Sequence, residues 1–334
     1  MVPPPESAFS ATEFKDRKVG LVIFGILTTL MGGLCILLAL LMMFVSLRAP
    51  LSANAGAPQS AQGMIPGMIL YSGMAAVLIW LGIGSMMERR WARALLLIVS
   101  WSWLVMGVLS VGMMAIMFPH LMEAMNSAAP AGQPEMPAAA KSLILVIPII
   151  IIGVVFVILP IAWVIFYQSK HVKATCEAHD PVTRWTDRCP LPVIAVCLWL
   201  AFSAPTMLLM AVSFRGVIPF FGMFVVGPLG SAIYVLLGLL WGYSAWALYK
   251  LDRRGWWIVF GSMSLFCVSA SITYSLHNVR ELYVLMGTPE AQIAQIQKFG
   301  FFEGQTAAWM TLIGAAPFLG YLLYVRKFFS GRPE

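Results

Sequence analysis

Long apolar stretches alternate with short polar pieces along the whole chain, and eight of them reach the length of a membrane-crossing helix. They lie at roughly 19–45, 65–87, 92–117, 143–167, 191–213, 228–249, 255–275 and 306–325. A helix needs about 20 mostly apolar residues to cross a hydrocarbon core about 30 Å thick. None of the eight carries Asp, Glu, Lys, Arg or His in its middle. The pattern predicts an all-α polytopic membrane protein with eight transmembrane helices. Composition agrees: 60% hydrophobic and 10% charged residues, with a mean hydropathy of +0.86, leave too little polar surface for a water-soluble globule.

The charges between the stretches give an orientation. Of the 21 basic residues, sixteen fall on one side: Lys15, Arg17, Lys18, Arg89, Arg90, Arg93, Lys170, Lys173, Arg184, Arg188, Lys250, Arg253, Arg254, Arg326, Lys327 and Arg332. Only Arg48, Lys141, Arg215, Arg280 and Lys298 fall on the other. Basic loops resist translocation, so the expectation is a plasma-membrane protein with both termini cytoplasmic. The net charge of +7 then forms a basic strip along anionic lipid, and no motif points to nucleic acid. The first stretch is too long for a signal h-region and is expected to be retained, although Ala53-Asn54-Ala55 imitates a cleavage site.

The connections differ in character. Residues 1–18 begin MVPPPES and read as a flexible cytoplasmic lead. Glu88-Arg89-Arg90-Trp91 reads as a tight turn between two helices. The piece from Phe118 to Lys141 reads as a partly helical surface loop. Pro148 and Pro160 interrupt the fourth stretch and are expected to kink it. The run FRGVIPFFGMFVVGP after the fifth is too short and broken to cross, so it is expected in the interface or as a re-entrant piece. Thr288-Pro289-Glu290 carries helix-start chemistry and predicts a short amphipathic surface helix over AQIAQIQKF.

Three pairs of matching positions predict an internal duplication. Asp16-Arg17 before the first stretch matches Asp187-Arg188 before the fifth, Arg89-Arg90 matches Arg253-Arg254, and Pro160, Tyr167 and Lys170 match Pro317, Tyr324 and Lys327. The expected organisation is a lead over 1–18, a first four-helix repeat over 19–167 and a cytoplasmic linker over 168–190. A second repeat follows over 191–325 and a tail over 326–334. Two repeats of four helices start on the same side, so they are of the parallel kind, with a seam between them where a site could form.

Candidate chemistry is sparse. His171, Cys176, His179 and Cys189 in the linker are possible zinc ligands, but only Cys176-x-x-His179 has paired spacing. A structured loop with reduced thiols is the plainer reading. Glu177, Asp180 and Asp187 lie beside them without a nucleophile-base arrangement. Ten methionines gather near the outer end of the first repeat: Met42, Met43, Met64, Met68, Met113, Met114, Met117, Met122, Met125 and Met136. Met113, Met117 and His120 share a helical face if the helix runs past Pro119, and thioethers suit Cu(I). Adaptable packing explains methionine equally simply. In the seventh stretch Ser264, Ser271 and Tyr274 offer a polar pathway or polar glue between helices.

No Walker, GxSxG, HExxH or CxxC pattern occurs, and no acid, base or histidine stands inside the bilayer to relay protons or hold haem. The expectation is therefore a non-catalytic membrane subunit or scaffold without a cofactor, copper or zinc being the metals its side chains would suit. Its partners are the lipid bilayer and a membrane-protein partner or a second copy. The alternative is a transporter or channel for a neutral or apolar solute, or a soft metal, along the seam.

Overall fold

The computed structural model describes residues 15–48, 61–127, 138–297 and 304–329. Among the described residues eight helices are long and apolar enough to cross a membrane, and each coincides with one of the eight stretches. This is a helical membrane protein. Leu30, Leu34 and Leu37 of α1 (Lys18–Arg48) are all more than half exposed, as befits a helix that is apolar on all sides and has lipid for solvent.

In chain order the helices are α1, α2 (Ala61–Met86), α3 (Arg90–Ser127), α4 (Ala138–Gly153), α5 (Leu159–Gln168) and α6 (Lys170–His179). Then come α7 (Leu191–Ser213), α8 (Pro228–Tyr249), α9 (Arg253–Leu276), α10 (Val279–Leu285), α11 (Glu290–Gln297) and α12 (Gly304–Val325). Between α7 and α8 lies an antiparallel hairpin, β1 (Ile218–Phe220) and β2 (Met223–Val225).

Three local features add detail to the sequence expectation. α3 does not stop near residue 117 but runs through Pro119 to Ser127. The fourth stretch does not simply kink: α4 and α5 are joined by one π turn, Val154–Ile158. Pro160 has no N–H to give and its ring crowds the carbonyl four residues back, so wider winding there relieves the clash. The broken run after α7 is the β-hairpin. Phe221 and Gly222 both have positive φ, 39° and 91°, the geometry of a two-residue hairpin turn that follows the twist of its strands. The expected surface helix over AQIAQIQKF is α11, with Ile293 fully buried; its Lys298 and Phe299 lie outside the described residues.

The chain divides into two compact units: residues 1–103 with 158–185, and residues 104–157 with 186–334. In the first, α1 and α2 meet through small residues. A Cβ on Gly82 would stand 2.7 Å from the Gly25 carbonyl, and one on Gly32 would stand 3.1 Å from that of Ala75. Only glycine permits such backbone approach. Ser85 donates to the Leu21 carbonyl at 3.0 Å, so its single proton is used and Tyr167 must donate to it at 2.7 Å. Trp163 Nε1 donates to Thr28 Oγ1 at 3.3 Å.

In the second unit, a Cβ on Gly238 of α8 would stand 3.0 Å from the Ala204 carbonyl of α7. Trp256 Nε1 of α9 donates to the Leu322 carbonyl of α12 at 2.8 Å, and Tyr321 donates to the Pro192 carbonyl at 3.1 Å.

The α2–α3 and α8–α9 turns have the same construction. Glu88 and Leu251 take left-handed φ values of 55° and 60°. The N–H groups of Glu88 and Arg89 return to the carbonyls of Ser85 and Gly84, and those of Leu251 and Asp252 to Leu248 and Ala247. These are Schellman closures with a side chain where glycine is usual. Below each turn the helices touch through a glycine and an alanine: Gly84 faces Ala92, and Gly255 faces Ala247.

Candidate functional site

The first candidate is the charged cluster of the first unit. Glu88 closes α2, and only about 4% of it is exposed. Its Oε1 lies 3.1 Å from Lys18 Nζ, and its Oε2 lies 2.8 Å from His179 Nδ1. The same Nδ1 lies 2.9 Å from the Thr175 carbonyl, and its one proton can serve only one of the two oxygens. Asp180, equally buried, is approached by Arg184 Nη2 at 3.2 Å, Arg89 Nη1 at 3.8 Å and the Arg90 N–H at 3.4 Å. Glu177 lies 3.4 Å from Arg90 Nη2 and 3.8 Å from Lys173 Nζ. Each carboxylate is thus matched by cations from another segment, which ties α6 to the start of α1 and to the α2–α3 turn. A buried carboxylate needs such partners, because desolvation otherwise costs several kcal/mol.

Among the described residues the possible zinc ligands are not gathered at one position. His171 stands exposed, and its Nδ1 accepts from the Lys15 N–H at 3.4 Å. Cys176 is buried, while His179 is exposed and turned to Glu88. Cys189 is buried within the second unit. Among the described residues no three His, Cys, Asp or Glu side chains converge on a metal position, and the five thiols are unbridged. Burial pushes the Cys176 thiol up to about 12, with Glu88, Glu177 and Asp180 adding to the rise and Arg93 opposing it. Burial likewise pushes Cys189 up to about 11. Burial thus holds both thiols toward the protonated form.

The outer methionines are described in part. Because α3 continues past Pro119, positions 113, 117 and 120 fall on one face of it. The Met113 side chain is partly exposed, whereas those of Met64, Met117, His120 and Met125, with the whole of Met136, lie outside the described residues. Met42 Sδ sits against Gly67.

The second candidate is the hairpin and the polar side of α9 that holds it. Ser269 Oγ accepts from the Phe221 N–H at 2.9 Å and donates to the Pro219 carbonyl at 3.3 Å. Thr273 Oγ1 accepts from the Gly222 N–H at 3.0 Å. His277 Nε2 lies 2.9 Å from the Gly222 carbonyl, and its Nδ1 lies 2.9 Å from Glu281 Oε2. With a proton on each nitrogen the ring donates to both. From α8, Tyr234 donates to the Val217 carbonyl at 3.0 Å, and Ile218 is buried with Ala211 and Tyr234. The backbone of the hairpin is therefore satisfied from beneath, while Phe220, Phe221 and Met223 at its tip stay 41%, 45% and 59% exposed.

The other polar residues of α9 make helix contacts. Ser262 accepts from Trp241 Nε1 at 3.1 Å, and Ser271 donates to the Ala308 carbonyl at 3.4 Å. Tyr274 lies beside Phe224, with ring centroids 6.3 Å apart, and Ser264 is half-buried. Sequence reasoning passed over Glu88 and His277. The spacing of Ser269, Thr273 and His277, four residues each, marks one helical face and was the available signal for the clamp. No family model, no curated protein and no solved structure matches the chain.

Proposed function

We propose that the protein is a non-catalytic integral membrane subunit or scaffold of a membrane assembly, presenting its hairpin to a partner. One observation carries this reading: the hydroxyls of Ser269 and Thr273 and the His277 ring bind the hairpin backbone and leave an apolar tip standing out. Polar side chains that would line a solute path are thereby engaged in fixing a surface. A preorganised aromatic tip loses little conformational entropy on docking, and aromatic residues with Met are enriched at interfaces.

Within this proposal the chain is two four-helix repeats, 19–167 and 191–325, with both termini cytoplasmic and the linker 168–190 between them. The paired Schellman turns support the duplication: Glu88 and Leu251, Gly84 and Ala247, and Ala92 and Gly255 each lie 163 residues apart. The glycine and the alanine have exchanged helices while keeping the contact. This spacing pairs Arg90 with Arg253, a one-residue revision of the match read from sequence.

The test is gentle purification of the full chain, followed by native mass spectrometry and elemental analysis of one sample. A stoichiometric protein partner without metal is expected. A lone protein carrying copper would overturn this reading in favour of soft-metal handling at Met113, Met117 and His120.

A further inference from the structure

A cavity of about 380 Å³ opens in the first unit, lined by Arg17, Ala162, Ile165, Phe166, Ser169 and Val172. Its volume is within the range of small-molecule sites, about 300–1,000 Å³. The position of its lining residues is informative. Arg17 stands one residue before the spanning part of α1, and Ser169 one residue after the span that ends at Gln168. Ala162, Ile165 and Phe166 belong to the last two turns inside that span. The cavity therefore has an end beyond the apolar spans, where Arg17 and Ser169 stand with the buried Val172, and an apolar wall within the fourth span.

That wall is fixed. Phe166 stacks on Phe24 at a centroid distance of 4.3 Å and lies over Gly20, where a Cβ would meet its ring at 2.5 Å. Ile165 is two-thirds exposed and forms an open side toward lipid. At the polar end the Arg17 backbone N–H is held by Thr175 Oγ1 at 3.1 Å, which sets where its side chain starts. Ser169 makes no capping bond to α6 with its hydroxyl.

We infer that this cavity is a specific site for one anionic glycerophospholipid of the adjoining leaflet. Its phosphate is held by the Arg17 guanidinium and the Ser169 hydroxyl, and an acyl chain lies along Ala162, Ile165 and Phe166. The charge complements the lipid, since a guanidinium binds phosphate through paired N–H donors. The split between polar and apolar lining falls where a phospholipid itself changes from headgroup to chain. Neither a free anion nor a wholly apolar ligand uses both halves.

The experiment is native mass spectrometry of the full chain in detergent, titrated in parallel with phosphatidylglycerol, phosphatidylcholine and inorganic phosphate. The expected result is one tightly retained phosphatidylglycerol that excess phosphate does not displace. Arg17→Gln should lower its retention about fivefold, as a basic side chain at an anionic surface contributes about 1 kcal/mol. Ile165→Trp, which fills the open side while keeping Arg17, should lower it as well. Lys250→Gln, of equal charge change in the second unit, should leave it unchanged, and thermal unfolding verifies that each variant is folded. Equal loss in Lys250→Gln, equal retention of phosphatidylcholine, or displacement by phosphate overturns the proposal.

Discussion

Glu88 sits where a left-handed backbone costs an L-residue roughly 1–2 kcal/mol and where glycine is the usual choice. Its carboxylate joins Lys18 of α1 to His179 of α6. Burial also suppresses two thiols, Cys176 of the first unit and Cys189 of the second. Cys176 is raised to about 12 and Cys189 to about 11 from 9.0. Between pH 9 and those values the unfolded chain has lost the thiol proton while the folded chain keeps it. The stability from these thiols is therefore fully present below pH 9 and falls as pH rises through that window. Cys176→Ala should make this fall shallower, measured by thermal unfolding in detergent from pH 8 to 11. In the folded wild type, maleimide should label Cys176 slowly at pH 7; labelling as fast as that of a free thiol contradicts the burial argument.

At the scale of elements, the eight crossing helices were legible because uninterrupted apolar runs of this length admit no other solvent than lipid. The β-hairpin was not, because Ile218 to Val225 is apolar on both sides. Alternation was masked: one side is buried on α8 and α9 while the exposed tip is also aromatic. The Phe221-Gly222 turn was the local clue. At Pro119 the sequence left the end of the helix open, and α3 runs through it to Ser127. The clamp predicts a measurable consequence. Thr273→Val removes the hydroxyl that receives the Gly222 N–H at nearly constant shape, at a cost of about 1–3 kcal/mol for the orphaned group. Hydrogen exchange should quicken over residues 217–226 in Thr273→Val and further in Thr273→Val/His277→Ala, with α12 unaffected. Unchanged exchange in the double variant contradicts the clamp.

The whole molecule combines a membrane-spanning helical body with two polar constructions of different kinds. The charged cluster of the first unit was visible in sequence as a linker rich in His, Cys and acids, but its partners Lys18 and Glu88 lie about 160 and 90 residues from it. Only the return of the chain brings them together, so the sequence supported a structured loop with reduced thiols first and zinc second, and neither reading contained the ion pairs. The hairpin clamp of the second unit is local, within about 60 residues, and its ligand face was readable in α9. What the sequence lacked was the hairpin to receive it. The functional account rests on that exposed tip. Its most direct test places a photo-crosslinking amino acid at Phe221 in native membranes, with a control at Leu236, which α8 leaves exposed on its side. The account predicts a discrete protein adduct at position 221 that is absent at 236 and lost when Phe220 and Met223 are changed to serine. Crosslinking only to lipid at both positions would contradict it.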